Sequence, residues 1–295
     1  MRPSALIPAL LCAGALVLSF LCLFAGQKKN FMENYHLLPL NTSRIGYNII
    51  NTTSENTNNP LTNLFNNITD SLGNELNEAA GDIADALGID DFYSVHILDY
   101  CYGDYTPAPL GNSTLKQSDI HKNVTGCSNR TAMYEFNVTR ILEQALNDSG
   151  VDVTLGDLNW PDDIQKGIDG LNALFKAQFV LYCIAIGFIA IALLSSLWGL
   201  FPRGRLTACC NFMVSLLAFL AIGLASALVT AVIVKGSDVI NKYGKEIGIE
   251  SHKGGKFMAL TWAATGLMFL VVLDWIFEFC IGHRKHKAAT YTKHG

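Results

Sequence analysis

The chain has 295 residues, half of them hydrophobic and only 16% charged. The apolar residues are gathered into four charge-poor runs, which excludes an ordinary soluble domain with buried core helices. The formal net charge of −4 averages over segments in unlike compartments, and it offers no basic excess for a nucleic-acid partner.

Residues 1–4 are a short N-terminus, and residues 5–26, "ALIPALLCAGALVLSFLCLFAG", form the first run. It is uncharged and long enough for the ~20 residues that cross a hydrocarbon core. A cleaved signal peptide is the alternative. Against it, the run is long for an h-region, only Arg2 precedes it, and Phe24-Ala25-Gly26 is a poor cleavage pattern.

Residues 27–176 are polar. They hold every Asn-x-Ser/Thr tripeptide of the chain, at Asn41, Asn51, Asn67, Asn112, Asn123, Asn129, Asn137 and Asn147. One such tripeptide is weak, but eight confined to a single segment point to the secretory lumen, with about half of them used. The segment is therefore expected outside the cell. It also holds just two cysteines, Cys101 and Cys127. In an oxidising compartment two thiols have one way to pair. Closing that loop is worth roughly 3 kcal/mol.

Within this outer segment, residues 30–60 read as irregular. Leu64, Ile68, Leu72, Leu76, Ala80, Ile83 and Leu87 then recur at helical spacing and predict an amphipathic helix over 63–88, weakened by Gly73 and Gly81. "FYSVHILDYCYGDY", 92–105, is rich in β-branched and aromatic residues and reads as one or two short strands. Residues 107–130 read as a polar loop, and a helix is expected from about 137. Pro161, followed by Asp162 and Asp163, marks another helix entry. That helix can run straight into the second span.

The second, third and fourth runs cover 177–201, 206–234 and 257–281. The connection 202–205 and the tail 282–295 are basic, with Arg203, Arg205, Arg284, Lys285, Lys287 and Lys293, as cytosolic segments tend to be. The outer connection 235–256 fits this rule poorly, because it carries five lysines. Glycosylation decides the orientation, since long loops escape the charge rule. Cys209, Cys210 and Cys280 lie beside the inner membrane face and are candidate palmitoylation sites, with plain helix packing as the alternative. Gly223 and Ala227 sit at small-xxx-small spacing, with Ala221 and Ala225 offset on a neighbouring face and Ala9 and Ala13 in the first span.

No nucleotide loop, CxxC, HExxH or GxSxG motif occurs, and His96 and His121 lack metal-ligand partners at useful spacing. No enzyme chemistry, cofactor or metal is expected. Asp274 and Glu278 share one helix face in the fourth span. They are either interfacial acids near the basic tail or a site on an ion pathway.

The reading is an α-helical integral membrane protein: a four-transmembrane-helix bundle with a large mixed α/β extracellular domain between helices 1 and 2. Phe31-Met32-Glu33, Asn41-Thr42-Ser43 and Tyr100-Cys101-Tyr102-Gly103, followed by Cys127, add a resemblance. With the span plan they resemble the fungal Sur/PalI family, a claudin-like tetraspan group, and in particular its eisosome-associated Sur branch. The resemblance implies a multi-pass plasma-membrane protein with both termini cytosolic. It would organise furrow-like membrane domains, the cell wall and cortical actin. Expected partners are membrane lipids, including sterol-rich domains, further copies of the chain, and wall or cortical scaffold proteins. The family's other arm implies an accessory subunit of an ambient-pH-sensing receptor. A channel or transporter subunit using Asp274 and Glu278 is a third reading.

Overall fold

A computed structural model describes residues 6–45, 86–106, 121–150, 154–156, 163–199, 205–245 and 248–291, and all side chains among them except those of 163–164, 205–206 and 280–291. The helices are α1 (Leu6–Phe24), α2 (Val138–Ser149), α3 (Asp163–Trp198), α4 (Arg205–Gly244) and α5 (Gly255–Tyr291). The strands are β1 (Leu38–Asn41), β2 (Phe92–Val95), β3 (Tyr100–Thr106), β4 (His121–Cys127) and β5 (Glu250–Ser251). Two compact units result. One comprises residues 1–24, 177–230 and 256–295, and the other 25–176 and 231–255.

The first unit is made of spans. Four helices, Leu6–Phe24, Gln165–Trp198, Thr207–Gly244 and Gly255–Phe279, are long and apolar enough to cross a membrane. Helix is the natural form for such runs, because it satisfies every backbone group internally where water is absent. Along the apolar part of α3, Tyr182, Ala185, Ile189, Ala192 and Ser196 are buried. Their alternating spacing of three and four makes one packing seam. On α4 the seam is Ala218, Ile222, Ala225 and Val229. The Gly223–Ala227 pair is therefore not the packed face. Ala227 is exposed, while Ala221 and Ala225 are buried.

A layer of hydroxyls joins the seams. Tyr182 Oη lies 2.5 Å from Thr261 Oγ1, and Ser226 Oγ lies 2.7 Å from both Thr261 Oγ1 and Thr265 Oγ1. Beside it, Trp262 Nε1 donates to Thr230 Oγ1 at 3.0 Å. Each such bond in a bundle is worth about 0.6 kcal/mol on average.

α3, α4 and α5 run for 36, 40 and 37 residues. At ~1.5 Å per residue that is roughly twice the ~30 Å hydrocarbon thickness. Residues 235–244, expected as loop, therefore continue α4, and Glu250–Ser251 of the same connection form β5. Arg205, expected in the 202–205 connection, opens α4, and α5 continues through the expected tail to Tyr291.

The second unit is built on an antiparallel five-stranded sheet of order β4-β3-β2-β1-β5. One face carries Leu38 and Leu40 of β1 with Tyr93 and Val95 of β2, paired Leu38↔Val95 and Leu40↔Tyr93. This face meets the N-terminal part of α3 and the C-terminal part of α4. A Cβ placed on Gly236 would fall 2.9 Å from Leu38 Cδ1 and 3.3 Å from Leu171 Cδ2, so glycine lets helix and strand approach. An apolar cavity of about 30 Å³ remains, lined by Leu40, Phe136, Val138, Ile168, Leu171 and Ile249 among others. α2 closes this side. Asn137 caps it, accepting from Arg140 N at 3.1 Å, and Gly150 ends it in the left-handed region.

The expected polar loop 107–130 needs correction, because His121–Cys127 is a strand. The helix expected over 63–88 and the Pro161 entry signature fall almost wholly outside the described residues.

Candidate functional site

The opposite sheet face carries the charged centre of the second unit. The segment that leaves α1 turns back at once: Gly26 N donates to Phe31 O at 3.0 Å, and Phe31 N to Lys28 O at 2.9 Å. Met32 has φ of +53°, a left-handed conformation that costs a residue with a Cβ about 1–2 kcal/mol. That turn delivers Glu33 to the sheet.

Glu33 is 7% exposed. Its Oε1 accepts from Ser94 Oγ of β2 at 2.6 Å and faces Lys122 Nζ of β4 at 3.6 Å. Lys122 Nζ also stands 4.7 Å over the Phe92 ring. Burial pushes the Glu33 carboxyl up. Lys122, the Ser94 hydroxyl and the nearby histidines outweigh it and hold the group below the usual carboxylate range.

His36 and His96 flank this pair, their rings 6.4 Å apart and edge-on. His96 is fully buried, and its Nδ1 lies 3.1 Å from Tyr35 O. Burial first, then the neighbouring His36, push its pKa down to about 3, so it stays neutral. Its ring fills the space over Gly26, where a Cβ would fall 2.3 Å from the imidazole; φ of +81° there adds a second demand for glycine.

The cysteine pair lies beside this. Cys101 and Cys127 face each other across β3 and β4 and are bonded, S–S 2.11 Å. Cys101 Sγ sits 3.2 Å from the Gly26 carbonyl oxygen. Two residues on, a β-bulge shifts the register at Tyr102/Gly103, and a Cβ on Gly103 would meet Asn123 O at 2.1 Å. Tyr-Cys-x-Gly thus supplies a crosslink and the glycine that the bulge requires. Thr42 adds a third tie, with its N donating to Asp91 O at 2.8 Å and its Oγ1 to Asp90 O at 2.5 Å. The motifs read along the sequence therefore converge on one clamp that fixes the post-span segment to the sheet. The clamp pairs one buried carboxylate with one ammonium and holds two imidazoles.

The connections at the two ends of β2 carry further titratable groups. Burial pushes Asp99 up to about 7, with Arg130 pulling the other way. Burial, aided by Asp104, pushes Asp90 up to about 6. Among the described residues no group of three or more His, Cys, Asp or Glu could hold a metal ion.

The other expected site residues are scattered. Asn123, Asn129 and Asn147 are exposed, on β4, a loop and α2. Asn41 is half-buried in β1, and its Oδ1 accepts from Ser43. Asn137 is occupied as the helix cap. Asn51, Asn67 and Asn112 lie outside the described residues. Cys209 and Cys210 are exposed near the start of α4, and the Cys280 side chain lies outside the description. Asp274 and Glu278 are half-buried, one turn apart on α5. Sequence reasoning missed the roles of Ser94, His96 and Lys122. The available signal was Glu33 itself, an acid placed just after a span.

The model of the SUR7/PalI family matches residues 4–273, which takes in the spans and the clamp alike. No curated protein and no solved structure is significantly similar.

Proposed function

We propose, since this chain belongs to the SUR7/PalI family, that it is a non-enzymatic organiser of plasma-membrane domains of the eisosome or furrow type. It acts by lateral packing of its spans and by contacts of the clamped domain outside the cell. The observation that carries this reading is the family match, which is continuous over both units. The eight glycosylation tripeptides confined to 27–176 support placing the second unit outside, with both termini in the cytosol. Exposed Cys209 and Cys210 support palmitoylation at the inner face. The partners are then lipids of ordered, sterol-rich domains, further copies of the chain, and wall or cortical scaffold proteins.

The test is imaging of tagged full-length protein at its native level, paired with cross-linking in mild detergent. Stable patches and cross-linked oligomers are expected. A uniform distribution of monomers refutes the organiser. Loss of one specific receptor and of the alkaline response on deletion would favour the pH-sensing accessory instead.

A further inference from the structure

The clustered tyrosines of the second unit share a sheet face with one glycosylation tripeptide. Tyr93, Tyr100, Tyr102 and Asp104 share a sheet face by the β2–β3 and β3–β4 registers. Asn123 pairs with Asp104, so it projects from that same face, and it is exposed. Tyr102 is its diagonal neighbour on β3, at about 7–8 Å by strand geometry. The Tyr102 ring leans across onto β4, where a Cβ on Gly126 would lie 2.4 Å from its hydroxyl oxygen. Tyr100 and Tyr93 pack near the ring at centroid distances of 5.9 and 6.4 Å. The third residue of the tripeptide, Thr125, is tied to the same strand, its Oγ1 donating to Tyr102 O at 3.2 Å.

We infer that Asn123 is glycosylated and that its first N-acetylglucosamine lies on the Tyr102 ring, clamping β4 to β3. This rests on the outward placement proposed above. In the attachment step Asn123 Nδ2 forms a bond to the anomeric carbon of a lipid-pyrophosphate-linked oligosaccharide. The bond to the pyrophosphate breaks, and the amide proton leaves to a base of the transferase. The sugar then presents an apolar C–H face, which the negative face of an aromatic ring attracts. Asp104, directly opposite Asn123, accepts from the sugar hydroxyls or N–H.

The test uses full-length protein from a secretory host, with glycans trimmed to one sugar, glycopeptides mapped, and the reduction rate of Cys101–Cys127 measured as a local report of β3–β4 opening. Asn123→Gln is expected to speed reduction by about two- to tenfold, and Asn147→Gln to leave it unchanged. In a Tyr102→Ser background Asn123→Gln should add nothing, while Tyr102→Phe keeps the effect. If Tyr102→Ser does not fold, NMR of the labelled first sugar decides, with its ring protons expected upfield. Glycans at other sites but not at Asn123 overturn the inference and spare the outward placement, and glycans nowhere overturn both. An unshifted sugar, or equal acceleration without the Tyr102 ring, also overturns it.

Discussion

Replacing Lys122 by Met removes the cation that faces Glu33 and leaves most of the aliphatic stem in place. At 3.6 Å and an effective dielectric of about 20, the pair's gross attraction is ~4–5 kcal/mol. Lys122 is 26% exposed at its side chain and Glu33 8%, so solvent screens part of this. Exposed pairs are worth ~1 kcal/mol or less, and stranding a fully buried partner costs ~3–5 kcal/mol. The expected loss lies between, about 2 kcal/mol, or roughly 4–8 °C in thermal midpoint for a domain of this size.

The loss has a pH signature. In the native chain Glu33 is held below its usual value, so its stabilisation is present above the unfolded pKa and is lost as pH falls through the folded one. Without Lys122, burial prevails and the carboxyl moves up, so the deficit of the variant should grow from pH 5 to pH 7.5. Thermal unfolding of the detergent-solubilised chain at both pH values, for Lys122→Met and for the double variant with Glu33→Gln, makes the measurement. The double variant should recover at least half the loss, since no charge is stranded. A deficit that does not depend on pH, or losses that simply add, would refute the coupling.

Asp99→Asn should raise stability at pH 7.5 and flatten the pH profile. Its folded pKa of about 7 exceeds the ordinary 3.8, so native stability declines as pH rises between those values, as urea unfolding across pH 4–8 would register. Gly103→Ala places a Cβ against Asn123 O and should cost more than about 3 kcal/mol, visible as loss of the Cys101–Cys127 bond on non-reducing peptide maps. Ser226→Ala removes the hydroxyl shared by Thr261 and Thr265 and should lower bundle stability by about 1–2 kcal/mol, read as a lower denaturant midpoint of the spans with the sheet unaffected.

The four spans were legible because hydrocarbon selects on local composition alone. A run such as 206–234 declares itself with no knowledge of its neighbours. The crosslink was equally legible, since the segment 27–176 offers one pair of cysteines. The sheet was only half legible. "FYSV" and "YCYGDYT" are rich in strand residues, but "HKNVTGC" has only Val124 and Thr125, and β4 exists because β3, the bulge at Gly103 and the bond to Cys101 impose its ladder. Likewise the small residues on α4 could be found from spacing, yet whether Ala225 or Ala227 faced inward depended on which neighbour it met.

Sequence by itself therefore determined the membrane class, the segment between the first two spans and its single staple, because each follows from residue type along a short stretch. Only tertiary structure decided that α4 continues to Gly244, that His96 is a buried wedge over Gly26, and that Glu33 finds Ser94 and Lys122 far along the chain. Those outcomes depend on which groups are brought within a few ångströms of each other and cut off from water, and no local pattern encodes that.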